Sequence, residues 1–145
     1  MKDDVQIWLD EAKWDLRSAK ILLQNESYNT AIFLSQQSSE KAVKALLFFC
    51  NLNGWGHSIT KLLDKYKEIK GRDISSIAKD ALNLDKQYIP TRYPDSLPGI
   101  APHKAFNKEE ADSAVKKATS IINFVENELE TIKKTDEEEK VENEE

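Results

Sequence analysis

Apolar residues near the start of the chain fall at Val5, Leu9, Ala12, Leu16, Ala19 and Leu23, in alternating steps of four and three. That rhythm keeps them on one side of a 3.6-residue turn and predicts a long amphipathic helix from Asp3 to about Asn25. Ile7, Trp14 and Ile21 are read as widening the buried stripe, as in a helix of a globular bundle, while Lys13, Arg17 and Lys20 form a solvated face. A second series, Tyr28, Ala31, Ser35, Ser38, Ala42, Ala45 and Phe49, predicts a helix from Ser27 to Asn51 with small residues at its middle, where another helix can approach closely. Ile32, Phe33, Leu34, Val43, Leu46 and Leu47 make its other sides apolar too, which marks it as the central helix, with one face open to another subunit.

Gly54 and Gly56 break the pattern around Trp55, and Ser58 is placed to cap a third helix carrying Ile59, Leu62, Leu63, Tyr66 and Ile69, which Gly71 ends. Asp73 is a candidate cap for a fourth helix with Ile74, Ile77, Ala78, Ala81 and Leu82, stopping before Pro90. Asn107 and Glu110 have the spacing of a capping box, opening a last helix that buries Ala111, Ala114, Ala118, Ile121, Val125, Leu129 and Ile132. No segment alternates with period two, and no repeat of solenoid type is present. The fold class is therefore all-α: an up-and-down helical bundle of about five helices, with a proline-rich loop before the last long one.

That loop, Tyr88 to His103, holds all four prolines, Pro90, Pro94, Pro98 and Pro102. Each removes a backbone donor and biases the preceding residue away from the α region, so the segment is expected to be stiff, extended and non-helical. It carries Arg92, Tyr93, Asp95 and His103, able to grip a phosphate, stack on a base or move a proton. His57-Ser58 is a second polar spot, and Gln36, Gln37, Glu40, Lys41 and Lys44 decorate the second helix. Structural roles compete at every one of these positions: Arg92 pairing with Asp95 to staple the loop, Tyr88 and Tyr93 packing on the bundle, His57 capping or packing beside Trp55, the second helix carrying ion pairs.

Composition narrows the classes. The net charge is −5, but Asp136–Glu145 holds seven acids and one lysine, which leaves 20 basic and 19 acidic residues elsewhere. A nearly neutral body cannot bind nucleic acid by bulk electrostatics, so an RNA or nucleotide site has to be local. With Val141 as its only apolar residue, the tail is expected to be disordered, giving a 1–134 bundle domain and a 135–145 acidic tail. No apolar run approaches the roughly 20 residues of a membrane span, and the N-terminus lacks a signal-peptide pattern; a cytoplasmic protein is expected. Two histidines and the lone Cys50, read as core, supply no zinc set. Gly54, Gly56, Gly71 and Gly99 match no phosphate-binding fingerprint, and no cofactor is expected.

The run Ala31–Leu47, then His57-Ser58 ahead of a Leu-Leu pair, then Tyr88-Ile-Pro-Thr-Arg-Tyr-Pro-Asp95, together with Ala12–Leu23, resembles the HEPN domain family of prokaryotes over residues 3–129. The resemblance implies a small helical bundle, usually a homodimer, cytoplasmic, and often made beside a minimal nucleotidyltransferase as a toxin–antitoxin pair. In the family's ribonucleases an arginine followed closely by a histidine is catalytic, and the dimer brings two copies together; other members are nucleotide-binding or helper domains. Here Arg17, Arg72 and Arg92 have no histidine at that distance, and ten residues separate Arg92 from His103. The expectation is a nucleotide- or RNA-binding module with Arg92 on phosphate, Tyr93, Asp95 and His57 lining the site, and Lys41 or Lys44 adding charge. The alternatives are a metal-independent ribonuclease using Arg92 and His103, and a pure interaction scaffold.

Overall fold

The structure, a computed structural model, describes residues 2–144; Met1 and Glu145, the outer ends of the two expected units, lie outside it. Among the described residues there are six α-helices and no strand: α1 (Lys2–Gln24), α2 (Tyr28–Phe49), α3 (Ile59–Lys70), α4 (Ala78–Gln87), α5 (Pro102–Ala105) and α6 (Lys108–Glu144). None is long and apolar enough to cross a membrane.

α2 is the axis of the bundle. Ala31, Ile32, Ala42, Val43, Ala45, Leu46 and Leu47 are all buried, as are Ser35, Ser38 and Ser39. The small-residue stripe lets α1 approach until Ser38 Oγ donates to Ala12 O across the interface at 2.7 Å. Ser35 and Ser39 donate back to Ala31 O and Ser35 O, so the buried hydroxyls cost little desolvation. α1 and α6 both pack against α2, while Phe33 and Leu34 of α2 stay partly exposed.

Ile7, Trp14 and Ile21 correct the sequence reading, because they are exposed rather than part of the buried stripe. Each lies on the opposite side of α1 from Val5, Leu9, Ala12, Leu16 and Ala19. Two more boundaries differ. Asp73 does not cap α4; its Oδ1 accepts from Ser75 N at 2.9 Å in an Asx turn, and α4 begins at Ala78. The proline loop contains a 3₁₀ turn at Pro94–Ser96 and the single-turn α5, each with proline in its first turn, where the missing donor has no helical partner to lose. α6 opens with the expected capping box, Glu110 N to Asn107 Oδ1 at 2.9 Å and Asn107 N to Glu110 Oε1 at 3.2 Å. It runs on to Glu144 through the segment expected to be disordered, with every residue from Lys133 to Glu144 exposed. Extending an existing helix requires only propagation, and Glu and Lys are good helix formers.

The far end of the bundle is tied by one buried carboxylate. Glu128 on α6 accepts from Tyr66 Oη of α3 at 2.7 Å and takes Arg72, in the α3–α4 connection, as a two-pronged partner at 2.9 Å to each oxygen. The Arg72 hydrogen bond holds the Glu128 carboxyl below its ordinary range against the opposing effect of burial, while burial and then Glu128 itself push the Tyr66 phenol up. Because its folded-state pKa lies below the unfolded one, Glu128 contributes stability above the ordinary carboxylate pKa of about 4.3, and that contribution is lost as pH falls through the folded-state value. Arg72→Ala should destabilise by about 2 kcal/mol at neutral pH, since it leaves a buried carboxylate short of its strongest donor. Glu128→Gln should flatten the acid limb of stability measured by urea unfolding; an unchanged acid limb would remove Glu128 from this role. Gly71 ends α3 in the left-handed region at φ 65°, and Gly71→Ala should lower stability by about 1 kcal/mol in the same assay.

Candidate functional site

The polar side chains of α2, the start of α3, the end of α4 and the first part of the proline loop meet on one side of the bundle. Asp85, near the end of α4, organises them. It accepts from Ile59 N at 3.0 Å, Thr60 N at 2.9 Å and Ser58 Oγ at 3.0 Å, and also receives Gln36 Nε2 at 3.3 Å. A carboxylate at a helix N-terminus satisfies donors that the helix cannot and interacts favourably with its dipole. Ser58 adds the local cap expected from the sequence, its Oγ accepting from Lys61 N at 3.1 Å. Gln36 is fully buried on α2 and spends its amide on His57 O at 2.9 Å as well as on Asp85, while Gln37 donates to Gln36 Oε1 at 2.8 Å. The His57 carbonyl is therefore held from α2.

The His57 side chain points outward. Its Nδ1 lies 3.3 Å from Glu40 Oε1, and its ring stacks on Tyr88 with centroids 6.1 Å apart and planes 12° apart. Glu40 is buried and also pairs with Lys44 at 3.3 Å. A carboxylate on one ring nitrogen orients an imidazole and leaves the other nitrogen for solvent or ligand. His57, Ser58, Asp85 and Tyr88 line a shallow cleft of about 230 Å³.

Tyr88 is also in contact with Arg92. Its guanidinium carbon lies 4.7 Å from the ring centre of Phe33, 4.6 Å from that of Tyr88 and 4.5 Å from that of Tyr93. The stapling pair Arg92–Asp95 does not form, and among the described residues no carboxylate lies within ion-pairing reach of Arg92. Three rings surround the cation, each contact worth about 0.5–1 kcal/mol at an exposed site, and among the described residues its N–H groups make no side-chain hydrogen bond. The turn that carries Arg92 is itself fixed: Thr91 is buried, its Oγ1 donates to Gln87 O at 2.6 Å, and its carbonyl accepts from Asn29 Nδ2 at 3.1 Å.

The other expected site residues fall elsewhere or have other partners. Lys41 is paired with Asp15 of α1 at 2.6 Å, and Lys44, nearly buried, pairs with Glu40 and lies over Trp8. Asp95 sits exposed in the 3₁₀ turn and His103 exposed in α5, with no hydrogen bond or ion pair joining His103 to Arg92 among the described residues. The sequence reading missed Phe33, Gln36 as a buried bridge, and above all Asp85. The signal for Asp85 was present only as an acidic residue on the otherwise apolar side of α4, next to buried Leu84.

Comparison with known proteins supports the same frame. The pattern that defines the HEPN domain matches residues 5–128. A Methanocaldococcus jannaschii protein named "Putative toxin MJ1304" is 26% identical over 132 residues, covering 83% of this chain and 84% of that one. The crystal structure of TT1696 from Thermus thermophilus superposes with a TM-score of 0.81 at 36% identity, over 85% of this chain and 96% of that one. An archaeal HEPN homologue, ST0689, gives 0.73 at 38% identity over 86% and 96%, and a HEPN domain protein of Thermotoga maritima gives 0.68 at 34% over 85% and 97%. With its family pattern, its helical bundle and these relatives in agreement, this chain belongs to the HEPN domain family.

Proposed function

We propose that the protein is a nucleotide- or RNA-binding HEPN module that takes a phosphate group on Arg92, and that it works with a minimal nucleotidyltransferase partner in a toxin–antitoxin-like pair. The carrying observation is the Arg92 guanidinium, held by Phe33, Tyr88 and Tyr93 and given no carboxylate partner among the described residues. A stacked guanidinium is rigid and keeps its donors in one plane, the geometry that suits two phosphate oxygens. Tyr93, partly exposed beside it, is available to stack on a base. The toxin name of the Methanocaldococcus relative supports the toxin–antitoxin setting. A near-neutral body fits a ligand held at one point rather than along a track.

A second reading, metal-independent ribonuclease, is favoured by the Glu40–His57 contact on the same Tyr88 that supports Arg92. In it His57, rather than His103, exchanges the proton of the ribose 2′-hydroxyl, and Arg92 stabilises the charged phosphorane.

Both readings are checked with one set of variants. In fluorescence anisotropy with labelled single-stranded RNA and with ATP, Arg92→Ala should weaken binding by about ten- to a hundredfold, the range of a lost charged hydrogen bond, and reduce the salt dependence by about one phosphate contact. Affinity unchanged in Arg92→Ala would sink the binding site. With the same RNA in EDTA, cleavage that leaves a 2′,3′-cyclic phosphate and disappears in His57→Ala and Arg92→Ala but persists in His103→Ala would establish the second reading. Intact RNA with wild-type protein would leave binding alone.

A further inference from the structure

Trp55 is the most exposed large apolar side chain among the described residues, at 86%, and the turn that carries it between α2 and α3 is braced on both sides. Gly54 is buried against α2, where a Cβ would lie 3.0 Å from Lys44 Cγ and 3.2 Å from Phe48 Cζ, closer than side chains ordinarily pack. Just before it, Asn53 accepts from Lys65 Nζ of α3, through its carbonyl at 3.0 Å and through Oδ1 at 2.6 Å. Just after Trp55, Gly56 takes a φ of 98°, a region open to glycine, and the His57 carbonyl is held by Gln36 at 2.9 Å. Turns are ordinarily tipped by Gly, Asn, Asp or Ser. Here a fixed backbone presents an indole that contributes little to the core.

The same turn leads straight into the candidate site. His57 follows Trp55 by two residues, at most about 7 Å of chain. The His57 ring lies 6.1 Å from that of Tyr88, and the Tyr88 ring lies 4.6 Å from the Arg92 guanidinium carbon. We propose that Trp55 is a base-stacking platform for the strand that continues from the phosphate on Arg92, which makes the ligand a single-stranded oligonucleotide rather than a mononucleotide. The proposal rests on the reading of Arg92 as the phosphate holder. Stacking suits a nearly neutral body, because every base has a π-face and an indole attracts it without added positive charge. The lysines beside the turn are already engaged, Lys65 with Asn53 and Lys44 with Glu40, so the turn offers a flat face and not a free cation. A protein is the poorer occupant: from Asn51 to Thr60 no other large apolar residue is exposed, and one ring falls far short of the area that a stable protein interface buries.

Titrations with AMP and with hexa-adenylate RNA test it. Trp55→Ala should keep the parent's helical circular dichroism and melting temperature, and should lower the ratio of hexa-adenylate affinity to AMP affinity by about five- to a hundredfold, the range of one lost base stack. Trp55→Phe should restore most of that ratio. In a Trp8→Phe, Trp14→Phe background, where Trp55 is the single tryptophan, hexa-adenylate should quench the indole fluorescence, and an abasic ribose-phosphate hexamer should not. An unchanged ratio in Trp55→Ala, or quenching by the abasic hexamer equal to that by hexa-adenylate, would overturn the platform. Arg92→Ala in the same titrations separates this from the reading beneath it. Affinity lost for both probes in Arg92→Ala, with the ratio kept in Trp55→Ala, sinks the platform alone; affinity kept for both in Arg92→Ala sinks the phosphate reading and the platform with it.

Discussion

The candidate site rests on one carboxylate placed against the wrong helix for a local cap. Asp85 belongs to α4, yet it closes the N-terminus of α3 through Ile59 N, Thr60 N and Ser58 Oγ and ties both to the buried Gln36 of α2. An anion at a helix N-terminus contributes about 0.3–1 kcal/mol at the surface and up to about 2 kcal/mol when partly buried. Its larger effect is positional. With α2, α3 and α4 locked at a single point, His57 is fixed just before α3 and Tyr88 just after α4, and the two rings have to meet. Tyr88 then becomes the wall on which Arg92 is laid four residues later.

That dependence explains why the site was only half legible in the sequence. Local signals read correctly: Ser58 caps α3, Gly71 ends it, and Asn107 with Glu110 opens α6, because each depends on residues within one turn. Arg92 stood out because four prolines isolate its loop. What surrounds Arg92 did not stand out, since Phe33 and Tyr88 reach it from positions with no fixed sequence offset between them. The Arg92–Asp95 staple looked sound by proximity in the chain, yet three aromatic faces hold the cation instead, and backbone turns rather than an ion pair set the loop.

The same contrast between local and tertiary information governs α1. Periodicity finds apolar positions, but it does not say how much apolar surface the rest of the bundle can cover. The small residues of α2 bring α1 so close that the Ala12 carbonyl takes a hydrogen bond from Ser38, and at that distance α2 covers a narrow stripe only. Ile7, Trp14 and Ile21 are left outside because they fall on the side of α1 turned away from its buried stripe.

This geometry bears on which functional reading is the more economical. The site residues of α2, Phe33, Gln36 and Glu40, turn to a different side of that helix from Ser38 and Lys41, which engage α1. Arg92 and His57 share Tyr88 as a common wall; the proposed binding asks only for a phosphate on Arg92, whereas cleavage requires in addition that the His57 nitrogen reach the ribose of the same nucleotide. Binding needs Arg92 alone, and for that reason it is the reading that the architecture of a single chain supports first.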